Sequence, residues 1–195
     1  MRDSLYVRLG LPVLVVCVIA AAGLAVTYSF TAGRIAAQAR AAEQRSLAAV
    51  IPGATTFAKV TGGGVNAKAA AAAGDVSIDG IYTASDVAGA PMGVGMLVGS
   101  RGYGGPIRIA IGLDRNGKVT GVSIVSMNET PGLGSKVVDD ASFLPRFDGL
   151  GTADEARRVD TITGATKSSR GVRKGVEAAL AAYQAVGGEE GVSAR

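Results

Sequence analysis

The chain has 195 residues, 48% of them hydrophobic and only 18% charged, against about 25% charged in an ordinary soluble protein, so an apolar excess must be placed somewhere. It contains no histidine and a single cysteine, Cys17, which excludes Ser-His-Asp and Cys-His catalysis, His-ligated metal centres, internal disulfides and Cys-ligated iron–sulfur clusters. The net charge of +4 is scattered along the chain, with no Trp and no interleaved aromatic–basic stretch, so a mildly basic solvated surface is expected and no nucleic-acid partner.

The first element is apolar. From Leu9 to Gly33 there is no charged side chain, and the run is bounded by Arg8 and Arg34. A helix rising about 1.5 Å per residue needs about 20 residues to cross a hydrocarbon layer of about 30 Å, so the sequence predicts one transmembrane helix over about residues 9–31. Pro12 is expected in its first turn, and Tyr6, Tyr28 and Phe30 fall near the two interfaces. The run is too long for the apolar core of a cleavable signal peptide. Bulky Val16 before Cys17 is wrong for a lipoprotein cleavage site. Arg2 and Arg8 on one side nearly balance Arg34, Arg40 and Arg45 on the other, so charge leaves the orientation open.

Residues 34–78 read as a juxtamembrane helix, Arg34 to Ile51, ended by Pro52-Gly53, followed by a low-complexity exposed loop or short helix over Thr61–Gly74 with no evident chemistry. The soluble domain is expected over 79–187, with a flexible tail at 188–195. Gly93–Val98 is a predicted strand. Ile107, Ile109 and Ile111 then alternate with Arg108, Ala110 and Gly112 in the pattern of a half-buried strand. Asp114-Arg115-Asn116-Gly117 supplies a turn, and Val119–Ser126 completes a hairpin. Farther on, Val172, Val176, Leu180, Tyr183 and Val186 make an apolar stripe on a helix over Ser168–Val186, with Arg170, Arg173, Lys174 and Glu177 on its other face. Strands early and a helix late predict an α+β domain, a mainly antiparallel sheet with packed helices, behind the single N-terminal transmembrane helix.

Two segments could carry chemistry. Glu129-Thr130-Pro131-Gly132-Leu133-Gly134-Ser135-Lys136 follows the second hairpin strand; its Pro and Gly residues make a tight loop that a flat ligand can approach, and Glu129, Thr130 and Lys136 are polar groups at its rim. The second, Asp160-Thr161-Ile162-Thr163-Gly164-Ala165-Thr166-Lys167-Ser168-Ser169, opens the amphipathic helix. Its hydroxyls suit either an N-cap or, with the helix dipole and the nearby Lys167, Arg170, Arg173 and Lys174, a place to hold a phosphate. The spacing matches neither a P-loop nor a dinucleotide fingerprint.

The stretch Asp160–Ser168 resembles the flavinylation signature of the FMN-binding domains of the Rnf and Na⁺-translocating NADH:quinone reductase complexes: Asp, two variable residues, Ser or Thr, Gly, Ala and Thr, then a further hydroxyl. Gly102-Tyr103-Gly104-Gly105, the hairpin through Gly117, the Glu129–Gly134 loop and the C-terminal helix are similar in order and spacing, so the likeness covers Met92–Ala185. Met127 stands where the family commonly has His. Short length and the Ser168-Ser169 pair are most similar to the G subunits of Rnf complexes; the C-type subunit of the quinone reductase is one alternative, and a membrane-anchored sensor or binding module without flavin is another.

The resemblance implies that Thr166 carries FMN through a phosphodiester, with Thr163, Gly164, Ala165, Lys167 and Ser168 around the attachment point and Glu129, Thr130, Leu133, Gly134 and Lys136 against the ring system. It implies no catalytic side chain and no metal ligand. It further implies a flavin transferase that uses FAD as donor and the other membrane and redox subunits of a complex coupling ferredoxin–NAD electron exchange to ion movement. The expected location is the bacterial inner membrane, with lipid around the helix and the domain on the periplasmic side.

Overall fold

The structure is a computed structural model that describes residues 2–129, 132 and 134–188, and side chains from residue 10 onward. Two compact units divide the chain, residues 1–41 and 42–195. Within the first lies most of a helix, α1 (Arg2–Val50), whose apolar side chains are outward: Leu11, Val16, Ile19 and Leu24 are each more than half exposed. Residues 10–50 hold a stretch long and apolar enough to cross a membrane. The helix starts at Arg2, so Pro12 sits inside it rather than in its first turn; lacking an N–H, it leaves the carbonyl of residue 8 without its usual intrahelical donor.

In the second unit five strands, β1 (Thr56–Lys59), β2 (Ser77–Ser85), β3 (Pro91–Arg101), β4 (Pro106–Asp114) and β5 (Val119–Met127), pair in sequence order, all antiparallel. The meander follows from short turns. Asp114 closes the β4–β5 turn by accepting from the backbone N–H groups of Asn116 and Lys118 at 2.8 Å, and Gly117 takes a φ of 77° that a side chain would resist.

One face of the sheet presents Ile81, Val94, Met96, Val98, Ile107, Ile109, Ile111 and Leu113, every second residue along each strand, to the main core. Covering it are α2 (Gly63–Ala73), through Val65, Ala69 and Ala73, and α5 (Thr166–Ala185), through Val172, Val176, Ala179 and Leu180. Phe143 and Phe147, stacked edge to face at 5.6 Å, fill the end near β5 beside two short helices, α3 (Lys136–Asp139) and α4 (Ala153–Arg157). Gly171 and Gly175 let α5 lie close to the sheet, because a Cβ on either would meet the Arg101 carbonyl oxygen or Ile109 Cδ1 at 2.6 and 2.7 Å.

The opposite face is not solvated as the alternation in β4 suggests. Leu47, Val50 and Ile51, at and just beyond the end of α1, pack on Ala84, Leu97 and Ala110. Gly112 and Gly121 are bare there because the Val50 backbone occupies the space a side chain would need. Arg108 reaches from this face to Glu43 and Asp79, both at 2.9 Å. Burial opposes the charge on its guanidinium, yet the two carboxylates it hydrogen-bonds still raise its pKa.

The compact unit that holds the sheet runs from residue 42, ahead of Asp79. Segment 34–78, expected as stalk and linker, supplies β1, the buried face of α2 and the cover of the second sheet face; small, uncharged Ala residues hid the packing surface of α2. Helix α5 buries a wider stripe than its valines mark, since Gly171, Gly175, Ala178, Ala179 and Ala182 are buried too and Arg173 and Glu177 are half-buried. Of the expected tail, only Gly188 is described.

Candidate functional site

Three segments far apart in sequence form one cleft of about 370 Å³, lined by Tyr103, Gly134 and residues 164–168. The β3–β4 turn supplies Tyr103, which is 63% exposed; the loop after β5 supplies Gly134; the start of α5 supplies the rest. Gly164 makes the approach possible. Its φ is 81°, and a Cβ there would stand 3.1 Å from Lys136 Nζ.

The first turn of α5 has no side-chain cap. Ala165 is the N-cap residue and makes no such bond. Ser169, the hydroxyl best placed to help, is buried and turned inward, donating to the Ala165 carbonyl at 2.8 Å and accepting from the Ile162 N–H at 3.2 Å. It fastens the chain entering the helix.

Ser168 lines the cleft, is 1% exposed, and its Oγ has no hydrogen-bond partner among the described residues. A buried hydroxyl left unpaired costs about 1–3 kcal/mol, so its position calls for an acceptor from a ligand. Thr166 and Lys167 are exposed at the mouth, and Lys167 Nζ stands 5.1 Å over the Tyr103 ring. With Lys136 Nζ beside Gly164, two ammonium groups and a helix start converge where an anionic group would sit.

Of the residues singled out from the sequence, Gly134, Gly164, Ala165, Thr166, Lys167 and Ser168 share the cleft, and Lys136 borders it. Thr163 is exposed and outside the lining. Thr130 and Leu133 lie outside the described residues. Glu129, expected at the rim, is a fastener instead: its carboxylate accepts from the Tyr103 N–H at 2.8 Å and the Gly104 N–H at 3.1 Å. Gly102 and Gly134 are bare where a Cβ would collide with those oxygens. Both oxygens are used by backbone, so Glu129 shapes the cleft from behind. Tyr103 was missed as a lining residue; its signal was an aromatic flanked by three glycines, which no buried core position explains. No group of three or more potential metal ligands occurs among the described residues.

The FMN-binding domain matches residues 102–181, and the RnfG N-terminal region matches residues 7–50. The chain thus carries an FMN-binding domain and is similar to RnfG-type proteins over its N-terminal region. Among its relatives, the G subunit of the Na(+)-translocating ferredoxin:NAD(+) oxidoreductase complex of Acetobacterium woodii is 29% identical, covering 91% of each chain. The G subunit of the proton-translocating ferredoxin:NAD(+) oxidoreductase complex of Clostridium ljungdahlii is 40% identical over 42% of this chain and 48% of its own. The G subunit of the ion-translocating oxidoreductase complex of Stutzerimonas stutzeri is 39% identical over 40% of each. Against these last two the chain spans less than half of the relative's length. A solved structure of NqrC from Shewanella oneidensis is similar at 22% identity and a TM-score of 0.46, covering 54% of this chain and 58% of that one.

Proposed function

We propose that this protein is a membrane-anchored electron-transfer subunit of an Rnf-type ion-translocating complex, carrying FMN joined to Thr166 by a phosphodiester. The observation that carries the reading is the cleft at the uncapped start of α5, with Thr166 at its mouth and the buried, unpartnered Ser168 hydroxyl in its wall. Bound FMN would supply one-electron redox chemistry.

Each residue then has a physical task. Thr166 Oγ bears the phosphoryl group. The first-turn N–H groups and the Lys136 and Lys167 ammonium groups offset its negative charge, and Ser168 Oγ donates to one of its oxygens. Gly164 and Ala165 leave the threonine hydroxyl open to a modifying enzyme. Tyr103 and the Gly134 loop form the wall against a flat ring system, held in place by Glu129. An external flavin transferase makes the attachment.

Helix α1 crosses the inner membrane in contact with lipid, and the domain faces the periplasm. Anchoring keeps the carrier at high local concentration beside the other membrane and redox subunits. The RnfG N-terminal region over residues 7–50 favours a G-type over a C-type subunit. The test is the intact mass of the full chain made with a flavin transferase: a gain of FMN minus water on the Thr166 peptide is expected, and loss of that gain in T166V. An unmodified wild-type chain, or modification that persists in T166V, overturns the assignment.

A further inference from the structure

Folding gathers basic residues that are dispersed in the sequence. Arg101 at the end of β3 and Lys167, Arg170 and Lys174 on α5 surround a second cleft of about 450 Å³, against one carboxylate, Asp75. Four cations and one anion give a formal +3 at this place, compared with +4 for the entire chain. All four cationic side chains are exposed, and among the described residues the ion pair they make is Lys174 with Asp75, at 4.0 Å. Gly171 lies between them, so the helix is pressed against the Arg101 carbonyl and the rim is fixed in shape.

Lys167 lines both this cleft and the one at Thr166, so the two share a wall. We propose that the Arg101–Lys167–Arg170–Lys174 rim docks an acidic surface of the protein that exchanges electrons with the group at Thr166. The inference rests on the electron-carrier reading above. The four exposed cationic side chains suit the steering of an acidic protein surface, whose charge they complement. A partner seated here stands at the mouth of the neighbouring cleft, and the exchange moves one electron between its redox centre and the flavin, one oxidised as the other is reduced.

The test uses the full chain in detergent, with flavodoxin as an acidic redox probe and cytochrome c as a basic one. Replacing Arg101 and Arg170 together by Glu changes the rim by four charges. At low salt the bimolecular exchange rate with flavodoxin should fall about tenfold or more, and its decline with rising salt should vanish, while the rate with cytochrome c rises. The double Lys variant should behave as wild type. An unchanged rate and salt dependence with flavodoxin, or an equal loss with both probes, overturns the proposal. So does a variant whose only defect is weaker binding to vesicles of anionic lipid. Low-salt binding of flavodoxin to T166V tests the surface without any flavin: binding that R101E/R170E abolishes supports docking, and binding that it leaves intact refutes it. Absence of flavin from the denatured wild-type chain counts separately against the attachment reading.

Discussion

The seating of α5 on the sheet is tested by adding one methyl group at two glycines a turn apart. At Gly171 a Cβ would stand 2.6 Å from the Arg101 carbonyl oxygen and 3.3 Å from its carbon, so relief requires backbone movement in the β3–β4 turn. At Gly175 the obstacle is Ile109 Cδ1 at 2.7 Å, the end of a side chain that can rotate away. Alanine gains about 1 kcal/mol of helix propensity at either site. Overpacking against a fixed group costs about 1–3 kcal/mol, whereas a displaced rotamer costs about 0.5–1.5 kcal/mol. G171A should therefore be less stable than wild type by about 1 kcal/mol, and G175A should be close to neutral. In a unit of this size that corresponds to a fall of about 2–4 °C in Tm for G171A, readable by circular dichroism of the detergent-solubilised chain. Because Gly171 lies five residues, or about 7.5 Å of helix, beyond Thr166, G171A should also load less flavin. Equal or higher stability of G171A relative to G175A would show that the close approach of helix and turn is wrong.

Glu129 is predicted to hold the Tyr103 turn, so E129Q, which keeps the size but can accept only one of the two N–H groups, should lose about 1–3 kcal/mol in a thermal melt; an unchanged Tm would refute the fastening role. The capping box at α4, in which Thr152 Oγ accepts from the Glu155 N–H and the Glu155 carboxylate accepts from the Gly151 and Thr152 N–H groups, predicts that T152A costs about 1 kcal/mol. Hydrogen bonds from the backbone of Gly151 and Thr152 hold the Glu155 carboxyl below its ordinary value of 4.5. A folded-state value below the unfolded one stabilises above the unfolded value and loses that contribution as pH falls through the folded one. E155Q should thus be less stable than wild type at neutral pH, with the gap closing in acid; a gap of constant size would contradict the box.

The apolar run, the β4–β5 hairpin and the helix at 166–185 were legible because each rests on local signals: uninterrupted hydropathy, alternation of Ile107, Ile109 and Ile111 about an Asp-Arg-Asn-Gly turn, and valines at helical spacing. What local signals could not give is which face of an element meets which neighbour. The Ala-rich tract over 67–73 carries no amphipathic contrast, yet Ala69 and Ala73 are buried by a close approach that only small residues permit. Leu47, Val50 and Ile51 look like the end of a stalk until the second sheet face is there for them to cover. In the cleft, the residues 164–168 are neighbours in sequence, whereas Tyr103 depends on a turn 63 positions before Thr166 being brought beside them. Glu129 was misplaced for a related reason: a carboxylate in a Gly-rich loop reads as ligand-facing, and only the fold reveals the two backbone donors that claim it.

The assembly of the Thr166 cleft from a turn at 103, a loop at 134 and a helix start at 164–168 has a temporal consequence. In a chain still emerging or partly unfolded those walls are separate stretches of backbone, and the threonine is one hydroxyl among many. Any maturation step that recognises the walls together can act only after the meander has closed and α5 has docked on it. On the attachment proposed above, completion of the prosthetic group works as a readout of correct folding, and a strand substitution far from position 166 leaves a population of colourless molecules without altering a residue of the cleft.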